Sequence, residues 1–315
     1  MDPITHILTG NLLNYSFQKN TDTQLIRKRF FFTALIASIA PDLDYFFRIF
    51  GKLTYLKYHR GPTHSFLFAF LIFAIAYKFY YSKLEESATS VKLRNYLLFC
   101  SCYLFHIFLD ILTSFGTIIF WPFSNYRATL DVLAIIDLPI IIISLLGIIL
   151  AKNKLFFNFR KKIGNITIII IIGYCFVFKY TSQKEISEIN NIINPTIQNQ
   201  NLQIISLPSI LFSRIRNNII IEDNNFQTID RSNNRFITTI YPKFDVSTIN
   251  QNPEFTEFYY TDVFEFIQWF LRFTVYEIEE TVKDKKLNIY DLRYRYMANL
   301  DLKNKIDYLK NKAYL

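Results

Sequence analysis

All four histidines of this 315-residue chain lie in its first 106 residues, and each stands in or beside a small cluster of polar side chains. Histidine and aspartate set among apolar runs are the residue types that a divalent metal site needs. Because no cysteine joins these clusters, they suit zinc first, and manganese or iron as alternatives, better than a closed thiolate site. The predicted ligands are His6, Asp42, Asp44, His59, His64, His106 and Asp110.

The sharpest pair is His106 and Asp110, which are four residues apart in a run that is otherwise mostly Leu, Phe, Cys and Ile. On an α-helix this spacing puts both side chains on one face, about one turn apart, where they can hold one cation. An ionisable residue inside a membrane is costly unless it is paired, hydrated or bound to a metal. The alternative is a hydrogen-bonded pair that only joins helices.

Asp42 and Asp44 directly follow another apolar run, and Pro41 is expected to break or kink the helix there. Two carboxylates so close repel each other unless a cation neutralises them, which favours a metal. The alternative is a solvated helix end at the membrane surface.

His59 and His64 flank the sequence Arg-Gly-Pro-Thr, which the Gly-Pro pair marks as a turn. Arg60 suits an anionic group such as a phosphate, and His59 or Asp42 is predicted to act as the general base. His59, Asp42 and Arg60 are therefore the catalytic candidates. A loop histidine without any such role is the alternative.

His6 is expected in the first turns of a helix. Asp2 suits the N-cap of that helix, and Pro3 suits its first position.

Five apolar runs are each near the roughly 20 residues that a helix needs to cross about 30 Å of hydrocarbon. They lie at residues 30–50, 66–81, 96–121, 134–151 and 166–180. The predicted fold class is a polytopic α-helical membrane domain of about five spans, with four to six as the realistic range. A smaller β-rich C-terminal domain follows it.

Clusters of Lys and Arg near the ends of the runs indicate the cytoplasmic side of the membrane. They lie at residues 27–29, 83–94 and 152–162, whereas Lys52, Lys57 and Arg60 on the opposite side weaken the pattern. With five spans the C-terminal domain lies outside the cytoplasm, and an odd error in the count reverses that.

The net charge of +9 does not predict nucleic-acid binding, because no basic helix or base-reading motif accompanies it. The first 20 residues do not have the pattern of a cleavable signal peptide. The three cysteines fall within apolar runs and imply no disulfide framework. The oligomeric state is left open.

The chain changes character after residue 180. The predicted domains are a helical membrane domain at 1–180, a polar, Asn-rich linker at 181–201 and a β-rich domain at 202–315. Alternating stretches at 218–222, 226–230 and 235–241 predict a β-meander. A short helix at 264–273 and two more strands at 274–281 and 287–296 complete the expected domain.

The motifs resemble those of the YdjM/YbcI family of membrane-bound metal-dependent hydrolases. They are Asp-Pro-Ile-Thr-His at 2–6, Pro-Asp-Leu-Asp at 41–44, His-Arg-Gly-Pro-Thr-His-Ser at 59–65, and His-x-x-x-Asp at 106–110 leading into Thr-Ser-Phe-Gly-Thr at 113–117. They cover about the first 140 residues in the right order. The resemblance implies a bacterial inner-membrane protein with a metal site.

More distantly, the order of His and Asp resembles that of the helical zinc-dependent phospholipase C and P1-nuclease group. This resemblance implies that Asp44, His64, His106 and Asp110 hold one ion, and that His6 and Asp110 hold a second. The later His and Glu ligands of that group have no counterpart here, because no histidine follows residue 106.

The leading hypothesis is a membrane metallohydrolase, with a phosphoesterase acting on a lipid or lipid-linked substrate as its most natural form. The alternatives are a proton or divalent-cation pathway of a transporter, and a non-catalytic scaffold with a structural metal. Dependence on a transmembrane gradient would indicate the first alternative, and dependence on the C-terminal domain would indicate the second.

Overall fold

The computed structural model describes residues 1–83, 89–193, 203–221, 225–232, 235–244, 260–280 and 285–293. The chain divides into two compact units, of which the first comprises residues 1–183 and 208–216 and the second comprises residues 184–207 and 217–315. The first is mainly helical, and the second contains the strands.

The helices of the first unit follow the apolar runs of the sequence only in part. The α-helices are α1 (Pro3–Phe17), α2 (Gln24–Ile39), α3 (Lys52–Tyr58), α4 (Phe66–Lys83), α5 (Thr89–Ile111), α6 (Leu138–Lys152) and α7 (Arg160–Ile193), whose last turns belong to the second unit. Short 3-10 helices occupy Ala40–Phe50, Pro62–His64 and Lys154–Phe159.

Polar side chains fix where several helices begin. Asp2 accepts a hydrogen bond from the amide three residues on and Pro3 starts α1, as the sequence predicts. The Ser65 hydroxyl does the same before α4, and Asp137 does so before α6. Each cap satisfies an amide that has no partner within its helix.

Helix α5 packs against α1, α2 and α4. Leu98 and Cys102 pack in a buried cluster with residues of α2. Tyr103 and Ile107 pack in a second cluster with α4. Leu109 packs in a third cluster with α1, α6 and α7. Apolar side chains all round a helix place it inside a bundle. Asn95, His106 and Asp110 of α5 are consequently buried.

Among the described residues, two helical segments are long and apolar enough to cross a membrane, Gln24–Phe50 and Lys154–Asn191. A third is reached only if Lys52–His64 and Phe66–Phe79, bent by 58°, form one span. The predicted count of five spans is therefore not supported. The run at 96–121 fails because α5 ends at Ile111, and α6 is a shorter apolar helix.

Large apolar side chains are exposed on the outer faces of α2, α4, α6 and α7. Examples are Ile36 (61%), Phe70 (70%), Ile149 (61%) and Phe176 (72%). Apolar surface of this extent exceeds what a soluble monomer leaves in water, and it suits contact with lipid.

The second unit contains the predicted strands. β1 (Gln203–Pro208), β2 (Arg216–Ile221), β3 (Asn225–Ser232) and β4 (Arg235–Pro242) form one sheet in chain order, with antiparallel pairing of β2–β3 and β3–β4. Helix α8 (Asp262–Phe270) and the hairpin of β5 (Thr274–Glu280) and β6 (Lys285–Asp291) follow. The predicted linker at 181–201 is helical in its first part, because α7 continues to Ile193. Residues 194–202 lie outside the described residues.

Two glycines of α7 differ in their surroundings and give a matched test. A Cβ on Gly164 would lie 2.8 Å from the backbone oxygen of Leu12 on α1, whereas nothing lies within 4 Å of a Cβ on Gly173. Gly164→Ala is expected to lower the free energy of unfolding by about 1–3 kcal/mol, because backbone atoms must move apart. Gly173→Ala is expected to be neutral or to stabilise by up to about 1 kcal/mol, because alanine favours the helix. Thermal unfolding in detergent measures both, and equal effects would contradict the close packing of α1 on α7.

Candidate metal centre

Four side chains from three separate segments converge in the first unit. Asp42 comes from the 3-10 helix after α2, His64 from the turn before α4, and His106 and Asp110 from α5. Each offers one ligand atom, and the four atoms lie within 4.8 Å of one another. His64, His106 and Asp110 are almost fully buried, and Asp42 is partly exposed. The cluster could hold a metal ion.

The distances between the ligand atoms resemble the edges of a tetrahedron. His64 Nε2 lies 3.1 Å from Asp110 Oδ2, 3.2 Å from His106 Nε2 and 3.7 Å from Asp42 Oδ1. His106 Nε2 lies 3.5 Å from Asp110 Oδ2 and 3.6 Å from Asp42 Oδ1. Tetrahedral zinc with bonds of about 2.0–2.2 Å has ligands about 3.3–3.6 Å apart. The residues present therefore fit a tetrahedral divalent ion.

Hydrogen bonds at the other ring nitrogens orient both imidazoles toward the cluster. His106 Nδ1 lies 2.7 Å from the carbonyl oxygen of Ser38, which can only accept, so Nδ1 carries the proton and Nε2 has the lone pair. His64 Nδ1 lies 3.3 Å from Asp44 Oδ2, which favours the same tautomer. Two such lone pairs 3.2 Å apart, beside two carboxylates, repel each other unless a metal ion or a proton lies between them.

The position of Ser38 depends on how α1 packs on α2. A Cβ on Gly10 of α1 would lie 1.8 Å from Ser38 Oγ and 3.3 Å from the carbonyl oxygen of Ala34. Only glycine lets the two backbones approach this closely. Ser38 Oγ itself donates to the Ala34 carbonyl, at 2.6 Å.

A second group that could hold an ion consists of Asp42, Asp44 and His59. In this structure His59 Nδ1 lies 2.8 Å from Asp44 Oδ1. The other oxygen of Asp44 accepts from the Arg60 amide at 2.9 Å and from the Thr63 hydroxyl at 3.1 Å. Asp44 thus contacts both His59 and His64, and it is placed to orient these two rings.

The set that converges differs from the set that the phospholipase resemblance implies. Asp42, and not Asp44, joins His64 in the four-residue cluster. The two carboxylates belong to a 3-10 helix, in which side chains two residues apart point about 120° away from each other. One therefore faces α5 and the other faces His59.

His6 lies beside the cluster but outside both groups. Its ring stacks on His106 at 3.6 Å, and its Nε2 lies 3.2 Å from Asp110 Oδ1. The ring is buried, and within the described residues neither of its nitrogens has a hydrogen-bond partner. Burial, with a smaller contribution from His106, lowers the pKa of His6 to about 3, so the ring is neutral at pH 7. The α-amino group of Met1 also contacts Asp110.

Arg60 is buried in a left-handed backbone conformation, with φ of 57°. Its Nη2 lies 3.2 Å from Asp110 Oδ1, and its Nη1 donates to the Thr113 hydroxyl at 2.8 Å. Residues other than Gly, Asn and Asp seldom adopt this backbone conformation, and such strain is common at functional sites. Arg60 therefore holds Asp110 in place and balances part of its charge.

Arg127 is the residue of this region that the sequence does not single out. Its Nη2 donates to the carbonyl oxygen of His59 at 2.9 Å, and its guanidinium lies 5.2 Å from the centre of the Phe115 ring. Arg60 lies 4.8 Å from the same ring. A lone arginine 68 residues after His59 carries no local signal, so only the folded chain brings it here.

The fold and the site together define an apolar, mainly helical protein with a buried His and Asp cluster that could hold a metal ion. A model of the YdjM inner membrane protein family matches residues 1–186, which is more than half of the chain. The chain belongs to this family, as the motifs predict, and all seven predicted ligands lie in the matched part. Comparison with curated proteins and with solved structures gives no match.

Proposed function

We propose that this protein is a membrane-embedded metal-dependent hydrolase, specifically a phosphoesterase that acts on a lipid or lipid-linked substrate. The main support is the spacing of the four ligand atoms, which matches a tetrahedral ion although the atoms come from three separate segments. The YdjM family adds the membrane location. A substrate that is itself an amphiphile suits such a site.

Zinc is the proposed metal, and manganese or iron are the alternatives. Two imidazole nitrogens and two carboxylate oxygens in tetrahedral spacing are a common donor set for zinc, whereas manganese prefers more oxygen ligands. Asp42 and Asp110 together supply two negative charges, which balance a divalent ion. An ion held by these four residues would have to expand its coordination, or exchange one ligand, to lower the pKa of a water and polarise a phosphoryl oxygen.

His59 is proposed as the general base. Because a carboxylate can only accept, the hydrogen bond to Asp44 puts the proton of the neutral His59 ring on Nδ1 and leaves Nε2 able to take a proton. The His59 side chain is 14% exposed, so a substrate can approach it. Asp42 is better placed as a ligand than as a second base, since it belongs to the four-residue cluster.

Two guanidinium groups, those of Arg60 and Arg127, lie near the proposed base and differ in their proposed roles. The sequence predicts that Arg60 binds the substrate phosphate directly, but the Nη atoms of Arg60 already contact Asp110 and Thr113. We therefore assign Arg60 to holding the ligand Asp110. Arg127, on the same Phe115 ring and bonded to the His59 backbone, is the better candidate for contact with the phosphate.

The proposed topology is a multi-pass protein of the bacterial inner membrane. Basic residues at 152–162 stand at the start of the candidate span Lys154–Asn191, which favours a cytoplasmic location for that end of the span. The span then ends on the other side of the membrane. We accordingly propose that the C-terminal unit lies outside the cytoplasm.

The test is hydrolysis by the purified full-length protein in detergent micelles, loaded separately with zinc, manganese or iron. The substrates are phosphatidic acid, an isoprenyl diphosphate and phosphatidylglycerol, with released phosphate and lipid products measured. Turnover is expected to fall at least about 100-fold in His59→Gln, which loses the proposed base, while bound metal is retained. Asp22→Asn, whose carboxylate pairs with Arg94 and not with a residue of the cluster, serves as the control with unchanged turnover.

The outcome separates hydrolysis from the two alternatives. Metal-loaded protein that cleaves none of these lipids, but moves protons or divalent cations into proteoliposomes, would replace the hydrolase with a transporter. Metal-loaded protein that does neither would leave a scaffold with a structural metal.

A further inference from the structure

A second positively charged site lies in the first unit, built around Phe157. The guanidinium of Arg27 lies 4.5 Å from the centre of the Phe157 ring, and that of Arg160 lies 3.8 Å from it. Two like charges held against one ring repel each other. The ring attracts both cations, and an anion between them would reduce the repulsion that remains.

Hydrogen bonds hold both arginines in place without neutralising them. Arg27 donates to the carbonyl oxygen of Asn20 at 2.9 Å, and Arg160 donates to Gln18 Oε1 at 3.4 Å. Within the described residues neither guanidinium is in an ion pair, and Arg27 Nε is buried with no hydrogen-bond partner. The neighbouring carboxylate, Asp22, is already taken by two hydrogen bonds from Arg94, at 2.6 and 2.9 Å.

The two arginines also mark one face of the membrane. Arg27 stands at the start of the candidate span Gln24–Phe50, and Arg160 stands near the start of Lys154–Asn191. Because both touch Phe157, the two spans begin on the same side. Lys and Arg at span ends favour the cytoplasmic side, where the leaflet carries anionic lipid.

The surface around Phe157 combines exposed lysines with exposed apolar side chains. Lys28, Lys161 and Lys162 are exposed, and so are Leu155 (83%), Phe156 (40%) and Phe159 (52%). A dissolved phosphate ion would contact only the cations and not the exposed Leu and Phe side chains. A lipid would use both kinds of group, since its acyl chains cover Leu and Phe while its headgroup meets the two guanidinium groups on the Phe157 ring.

We propose that Arg27 and Arg160 bind the phosphate of an anionic phospholipid headgroup in the cytoplasmic leaflet, across the ring of Phe157. Guanidinium groups offer paired donors to phosphate oxygens, and they keep their charge at any physiological pH. This site is separate from the His and Asp cluster, and it does not depend on the proposed hydrolase activity.

The test is native mass spectrometry of the full-length protein released from detergent micelles that contain equal amounts of phosphatidylglycerol and phosphatidylcholine. Wild type is expected to retain phosphatidylglycerol in preference. Arg27→Gln and Arg160→Gln are each expected to reduce that retention about tenfold, by loss of charged hydrogen bonds. Lys28→Gln and Lys161→Gln remove the same charge from the same two helices away from the ring, and they should leave retention within about twofold of wild type.

Each other outcome overturns the proposal. Equal retention of both lipids by wild type would overturn the proposal. This outcome needs no variant, so it can be read even if a variant fails to fold. Equal losses in the arginine and lysine variants would reduce the site to general surface charge. Displacement of phosphatidylglycerol by added inorganic phosphate would identify a phosphate-ion site instead of a lipid site.

Discussion

At the proposed metal site, Asp110→Asn is expected to reduce the affinity for zinc at least about 100-fold below that of wild type. The substitution keeps the shape of the side chain and removes the charge of Oδ2, which lies 3.1 Å from His64 Nε2 and 3.5 Å from His106 Nε2. Elemental mass spectrometry on detergent-purified protein measures the metal per chain. Competition with a zinc-binding dye gives the affinity.

Asp137→Asn is the matched control for this variant. Asp137 is as fully buried as Asp110, but it caps α6 and accepts from the Tyr174 hydroxyl at 3.0 Å, away from the cluster. It should keep the full metal content. Asp44→Asn should fall between the two, with affinity reduced about 10- to 100-fold, because Asp44 orients the ring of His64. Metal retained in Asp110→Asn at wild-type affinity would contradict the four-residue site.

If the proposed site holds an ion, a chelator is expected to lower the Tm of the wild-type protein by about 8–16 °C. A ligand at a thousandfold excess over its Kd stabilises by about 4 kcal/mol, and each kcal/mol shifts the Tm by about 2–4 °C in a chain of this kind. The physical cause is that the ion would join the segment after α2, the turn before α4 and helix α5. Without it, two carboxylates and two imidazole lone pairs face each other.

Thermal unfolding with and without a chelator, followed by addition of zinc, measures this shift. Asp110→Asn provides the control, because its Tm should respond to neither treatment. If wild type and Asp110→Asn respond equally to the chelator, the stabilising metal lies elsewhere in the protein.

Local chemistry let the sequence predict part of the site. The side chains of Asp2 and Pro3 by themselves favour a helix start at this point. The four-residue spacing of His106 and Asp110 puts both on one face of any α-helix. The β-meander was predictable for the same reason, since alternation and turn residues act over a few positions. These features depend on neighbours in sequence.

The features that the sequence could not predict depend on contacts between distant residues. The choice between Asp42 and Asp44 follows from a 3-10 helix, which hydropathy does not distinguish from an α-helix. The apolar run at 96–121 predicts one span, but α5 ends at Ile111 and the backbone of Thr113 pairs with that of Leu133. Likewise, Arg127 reaches His59 only because the fold brings two loops together.

The contact between Gly10 and Ser38 has a consequence for how the site tolerates change. Ser38 presents the carbonyl that fixes the tautomer of His106, and its place is set by two backbones in close approach. A methyl group at position 10, with no ligand altered, would press on α2 and move that carbonyl away from the ring. The imidazole could then exchange its proton between nitrogens, so the ability of the cluster to hold an ion would depend partly on a residue that has no side chain.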